Sequence, residues 1–119
     1  MSEPSATDLL LLACELATRV ECRPERRDGS DAAVYESSGA TLARRIRAGA
    51  PVTASYREAA PFSWTVALQA GAARKTNYQL WLRESPAELK ALWQARAQAR
   101  ALRESLPHAQ RKKKPWGPL

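Results

Sequence analysis

Phe62-Ser63-Trp64-Thr65-Val66-Ala67-Leu68-Gln69 is the stretch that decides the fold. Phe62, Trp64, Val66 and Leu68 alternate with Ser63, Thr65, Ala67 and Gln69. A period of two places these sets on opposite faces, as in a strand with one face on a core and one on solvent. The same period holds on both sides. Upstream, Val52, Ala54 and Tyr56 alternate with Thr53, Ser55 and Arg57; downstream, Tyr78, Leu80 and Leu82 alternate with Asn77, Gln79, Trp81 and Arg83. The connections, Ala59-Ala60-Pro61 and residues 70–76, are short enough to join the three strands as an antiparallel meander.

Ser85-Pro86-Ala87-Glu88 then combines a capping box with proline at the first helical position. It predicts a helix to about Leu106, stopped by Pro107. Leu89, Leu92, Ala95, Ala99, Leu102 and Leu106 form its apolar stripe, expected to cover the core face of the sheet, with Trp93 at the border. Arg96, Arg100 and Arg103 follow one another at helical spacing as a separate basic ridge, joined by Lys90. Only Glu88 and Glu104 on this helix offset them, so the positive field is expected to stand uncancelled.

At the other end, Ser5-Ala6-Thr7-Asp8 has capping-box spacing. Leu9, Leu12, Ala13, Leu16 and Val20 recur at helical spacing after it and predict a helix over 6–22, followed by a polar loop over 23–31. Residues 32–49 admit a β-hairpin around Ser37-Ser38-Gly39, or an extended 33–36 followed by a short helix over 40–48 capped by Ser38 and closed by Gly49 and Pro51. The second is the reading preferred. The expected fold class is α+β: an antiparallel three- to five-stranded meander flanked by an N-terminal helix and a long C-terminal helix, then a basic tail. Residues 1–107 are expected to form a single α+β domain and 108–119 a flexible basic tail.

The chain has 119 residues and a formal net charge of +7. Residues 1–60 carry 8 Lys and Arg against 9 Asp and Glu, a net of −1, whereas residues 61–119 carry 11 against 3, a net of +8. One half is neutral and the other strongly basic, as expected where a chain meets nucleic acid or an acidic partner. Cys14 and Cys22 stand eight apart in one predicted helix, about 12 Å along its axis and too far for a disulfide. Two reduced thiols suit a cytoplasmic protein. The run Leu9-Leu10-Leu11-Leu12-Ala13-Cys14 is broken by Glu15, too short for a membrane span, and has no basic segment before it, so neither a signal peptide nor a membrane partner is expected.

Strand parity gives the polar sheet face Thr53, Ser55, Arg57, Ser63, Thr65, Gln69, Asn77, Gln79, Trp81 and Arg83, with no carboxylate. Such a face suits a single strand whose bases stack on Trp81 while Arg57 and Arg83 meet phosphates. The alternative is a solvated face with Trp81 covered by a homodimer partner or by the N-terminal helix. Beyond Pro107, Arg111, Lys112, Lys113 and Lys114 precede Trp116, a cation cluster with a flat aromatic face that would hold a polyanion electrostatically. Arg44, Arg45 and Arg47 would add a second patch if helical.

Catalysis finds little to work with. His108 is the sole histidine and borders the tail, the carboxylates form no pair, and no phosphate loop, nucleophile elbow, metal-ligand set or cofactor motif occurs. The strand-to-helix succession from Lys75 to Trp93 resembles the architecture of small single-stranded-DNA-binding modules of the Whirly type; the likeness carries over no functional residues. The function expected is a small basic non-enzymatic nucleic-acid-binding protein, single strands favoured, needing no cofactor or metal. The sites are Arg57, Trp81, Arg83, Arg96, Arg100, Arg103, Arg111, Lys112, Lys113, Lys114 and Trp116. The alternative is an inhibitor or adaptor that docks on an acidic or nucleic-acid-binding surface of a partner protein.

Overall fold

Backbone pairing along the alternating stretches builds one five-stranded sheet in the order β2-β1-β5-β4-β3, every neighbouring pair antiparallel. The elements, from a computed structural model that describes residues 3–24, 34–69 and 75–105, are α1 (Ala6–Leu16), β1 (Arg19–Pro24), β2 (Tyr35–Ser37), α2 (Gly39–Arg47), β3 (Val52–Tyr56), β4 (Phe62–Gln69), β5 (Lys75–Leu82) and α3 (Pro86–Ser105). β3, β4 and β5 form the expected meander, in register from Val52 opposite Leu68 to Phe62 opposite Leu82. The fold class is α+β, as expected, and none of the helices described is long and apolar enough to cross a membrane.

One expectation fails at the start of the sheet. The helix read over 6–22 ends at Leu16, and residues 19–24 are a strand. Val20 lies four residues after Leu16, but also two before Cys22, so the segment carries both periods. At Ala17 the backbone turns extended (φ −57°, ψ 130°), and the Thr18 N–H then donates to the Trp81 carbonyl at 2.8 Å. The unpaired edge of β5 supplies backbone partners that a continued helix would forgo, and it captures the segment. Val20 and Cys22 turn into the core; Arg19, Glu21 and Arg23 turn to the other face. Cys14 and Cys22 therefore lie on different elements, both buried and both free thiols.

Residues 34–48 take the preferred form. Ser38 caps α2 by accepting from the Thr41 N–H at 3.1 Å, and Gly49 beyond it has φ 93°, a left-handed conformation that favours glycine. Most of the polar loop read over 23–31 lies outside the described residues.

The helices pack on one face of the sheet. Leu10, Leu12, Ala13 and Cys14 of α1 and Leu42, Ala43 and Ile46 of α2 close over Val20, Cys22, Trp64, Val66, Leu68, Tyr78, Leu80 and Leu82. α1 and α2 meet closely: a Cβ at Gly39 would sit 1.9 Å from the Cys14 carbonyl oxygen, so only glycine fits there. Tyr78 anchors the sheet to α2, its hydroxyl accepting from Arg45 at 2.6 Å.

A second expectation fails at α3. Ser85 and Glu88 cap it reciprocally at 3.1 Å each way. Its stripe, however, does not cover the sheet. Leu89 is buried and Trp93 packs against the core, but Leu92 is 38% exposed, Ala95 and Ala99 are exposed, and Leu102 is 68% exposed. α1 and α2 already fill the space over the sheet. α3 is 20 residues long, about 30 Å, and every residue from Gln98 to its end is exposed.

Candidate nucleic-acid interface

The sheet face opposite the helices is organised in rows across the strands. Ser63 pairs with Trp81 and Trp81 with Arg19, while the Arg57 N–H donates to the Ser63 carbonyl at 3.0 Å and extends the row. Arg57, Ser63, Trp81 and Arg19 thus lie side by side, cations at both ends and the indole between them. The next row runs Ser55, Thr65, Gln79, Glu21 and Glu36; the one after it, Thr53, Ala67, Asn77 and Arg23. Gln69 and Lys75 close the far end. Arg83 follows β5 and is exposed.

This arrangement brings Arg57, Trp81 and Arg83 to one end of one face, as strand parity requires. It also corrects the expectation in three respects. The face is not free of carboxylates: β1 and β2 add Glu21 and Glu36. Trp81 is half-buried rather than open, because the Arg19 guanidinium carbon lies 5.3 Å from its ring centre. Ser63 is buried between its neighbours. Arg19 is in turn paired with Glu21, and its Nε lies 3.8 Å from Glu36. Two carboxylates and an indole therefore surround one guanidinium on this face.

Arg19, Glu21, Arg23 and Glu36 escaped the sequence reading. Arg19 and Glu21 fall in the helix expected over 6–22 and Arg23 in the loop expected over 23–31, while Glu36 reaches this face only through the pairing of β2 with β1. The signal was present in the alternation of Arg19, Glu21 and Arg23 with Val20 and Cys22. With them, the face carries Arg19, Arg23, Arg57, Lys75 and Arg83 against Glu21 and Glu36 and stays net positive.

The ridge on α3 is divided. Arg96 bonds to Glu15 at the end of α1 at 2.8 Å, and Lys90 pairs with Glu3 at 2.7 Å. The helix was expected to keep an uncancelled field because it carries few acids of its own, but α1 and the residues before it supply them from across the contact. The Glu15 carboxylate raises the Arg96 pKa further, keeping it charged. Arg100 and Arg103 lie beyond this contact and are exposed. Of the other cations, Arg44 and Arg47 are exposed on α2 and Arg45 is half-buried on Tyr78. Arg111, Lys112, Lys113, Lys114 and Trp116 lie outside the described residues.

Among the described residues no group of His, Cys, Asp and Glu is arranged to hold a metal ion. No family model matches the chain, and no curated protein or solved structure matches it.

Proposed function

We propose that this protein is a small non-enzymatic nucleic-acid-binding protein of the cytoplasm that takes a single strand on the helix-free face of its sheet. The observation that carries the reading is the row Arg57, Ser63, Trp81, Arg19. It sets a stacking surface between cations on strands three interstrand steps apart, about 14 Å. Arg57 and Arg83 meet phosphates; a base stacks over Trp81, on the Arg19 guanidinium plane or in its place. Arg100, Arg103 and the cations Arg111 to Lys114 extend the electrostatic grip. The +7 charge and two free thiols in a reducing compartment agree with this role.

The test is a titration of a labelled single-stranded oligonucleotide over a salt series. Affinity falls log-linearly with salt, and deleting residues 108–119 flattens the slope. Absence of binding at low salt would remove the reading.

One observation favours a second reading. α3 exposes Leu92, Ala95, Ala99 and Leu102 beside Arg100 and Arg103, a mixed apolar and basic surface suited to an acidic partner protein. Capture of partners from the native host with and without nuclease separates the two: partners that persist favour the adaptor, and partners lost with the nucleic acid favour the sheet.

A further inference from the structure

Beside Trp81 the helix-free face is not flat. It holds a concavity of about 440 Å³ whose lining includes Glu21, Arg23, Thr65, Asn77, Gln79 and Trp81. That volume falls within the range of about 300–1,000 Å³ typical of sites for small organic groups. We propose that this pocket takes one unpaired nucleobase bearing an exocyclic amine, adenine or cytosine in preference to thymine or uracil. The inference rests on the single-strand reading above and adds base selectivity to it.

Arg23 lines the pocket as well, but three side chains, Glu21, Asn77 and Gln79, point to a base edge rather than a phosphate. The Glu21 side chain is only 23% exposed, and a half-buried carboxylate repels a phosphate while its Oε1 can accept from an amine. Glu21 Oε2 is engaged by Arg19, which fixes the carboxylate in place. Asn77 is half-buried on the next row, with no side-chain hydrogen bond among the described residues, so its amide offers one donor and one acceptor side by side. Gln79 Oε1 accepts from Thr65 Oγ1 at 3.0 Å, leaving its NH2 group as a second donor.

Adenine and cytosine each place an amine beside a ring-nitrogen acceptor. The amine donates to Glu21 Oε1 or Asn77 Oδ1, and the ring nitrogen accepts from the Asn77 or Gln79 amide. These are the pairings by which Asn and Gln read adenine and Glu reads cytosine. Thymine and uracil put a carbonyl where the amine would be and set it against the carboxylate. Trp81 and Arg19 on the adjoining row supply the stacking surface, and the backbone of the seated base leads toward the end of the face that carries Arg57 and Arg83.

The experiment compares homopolymers of dA, dC and dT, each about 12 nucleotides and end-labelled, by fluorescence anisotropy with the full chain at fixed low salt. dA and dC are expected to bind roughly tenfold tighter than dT, the discrimination of one good base-edge pair. The dC and dT comparison weighs most, since both are pyrimidines. Asn77→Ala should reduce the preference by lowering dA and dC affinity more than dT affinity. Glu21→Gln, which keeps the side chain's shape, should weaken the preference while raising affinity for all three through the lost negative charge. Equal affinity of the wild type for the three homopolymers overturns the pocket and leaves the single-strand reading intact. A preference untouched by both substitutions also overturns it. Binding of none of them overturns the parent reading and the pocket together.

Discussion

Arg19 lies over Trp81, its guanidinium carbon 5.3 Å from the indole centre, because the two residues face each other across the β1–β5 pairing. Thr18 locks that register, its N–H and Oγ1 both donating to the Trp81 carbonyl at 2.8 and 3.1 Å. The indole within that row is therefore covered by a cation that Glu21 and Glu36 partly neutralise.

Arg57 and Arg19, at opposite ends of one row, should behave differently. Arg57→Ala is expected to lower the slope of log affinity against log salt by about 1, the loss of one phosphate contact. Arg19→Ala should lower it by less, since two carboxylates already offset that charge. It should also change stability by no more than about 1 kcal/mol, because the Arg19 side chain is itself 55% exposed. Parallel salt series on the two variants check this; an equal drop for both would show that the carboxylates do not restrain Arg19.

Glu15 pairs with Arg96 at 2.8 Å and partly offsets its charge. Glu15→Gln should strengthen binding of a single-stranded oligonucleotide at low salt by a few-fold, an effect that fades as salt screens it. Arg96→Ala should weaken binding less than Arg100→Ala. The reverse order in an anisotropy titration would place the contact surface on the α1–α3 seam.

Gly39 stands at the close contact between α2 and α1. Gly39→Ala forces a Cβ to within 1.9 Å of the Cys14 carbonyl oxygen unless α2 moves off α1. It should cost roughly 2–4 kcal/mol in urea unfolding, the range of a badly overpacked core. Gly49→Ala meets nothing within 4 Å and strains only a φ of 93°, so it should cost about 1–2 kcal/mol.

Cys14 ties stability to alkaline pH. Burial pushes its thiol from 9.0 up to about 11, against a smaller lowering by Arg47. A pKa raised by folding means that the neutral form is favoured in the folded chain. That contribution is complete below pH 9 and is lost as pH rises from 9 to 11. Unfolding free energies of wild type and Cys14→Ala should converge across that window by at most about 2–3 kcal/mol. Tyr78, also raised by burial, titrates in the same direction in both proteins and cancels in the difference.

The meander was legible because Trp64, Val66 and Leu68 alternate with small or polar residues, and the caps at Ser5, Ser38 and Ser85 stand where their spacing puts them. β1 was not, because Leu16 to Val20 is a helical step while Val20 to Cys22 is a strand step, and only the free edge of β5 decides between them. The packing of α3 was hidden for a similar reason: Leu92 and Leu102 look like core residues in any helical projection, yet α1 and α2 occupy the sheet first. The site inherited both gaps. Arg57, Trp81 and Arg83 followed from parity alone, whereas Arg19, Glu21 and Glu36 needed the pairing of β1 with β5 and β2.

Trp81→Ala, measured against wild type with one single-stranded oligonucleotide across a salt series, tests the proposed function most directly. Loss of one stacked base should weaken binding by about 1–3 kcal/mol, roughly five- to a hundredfold, at every salt concentration. The slope should stay unchanged, since no phosphate contact is removed. Affinity that is the same with and without the indole, or a wild-type chain that does not bind, would contradict a strand on this face of the sheet.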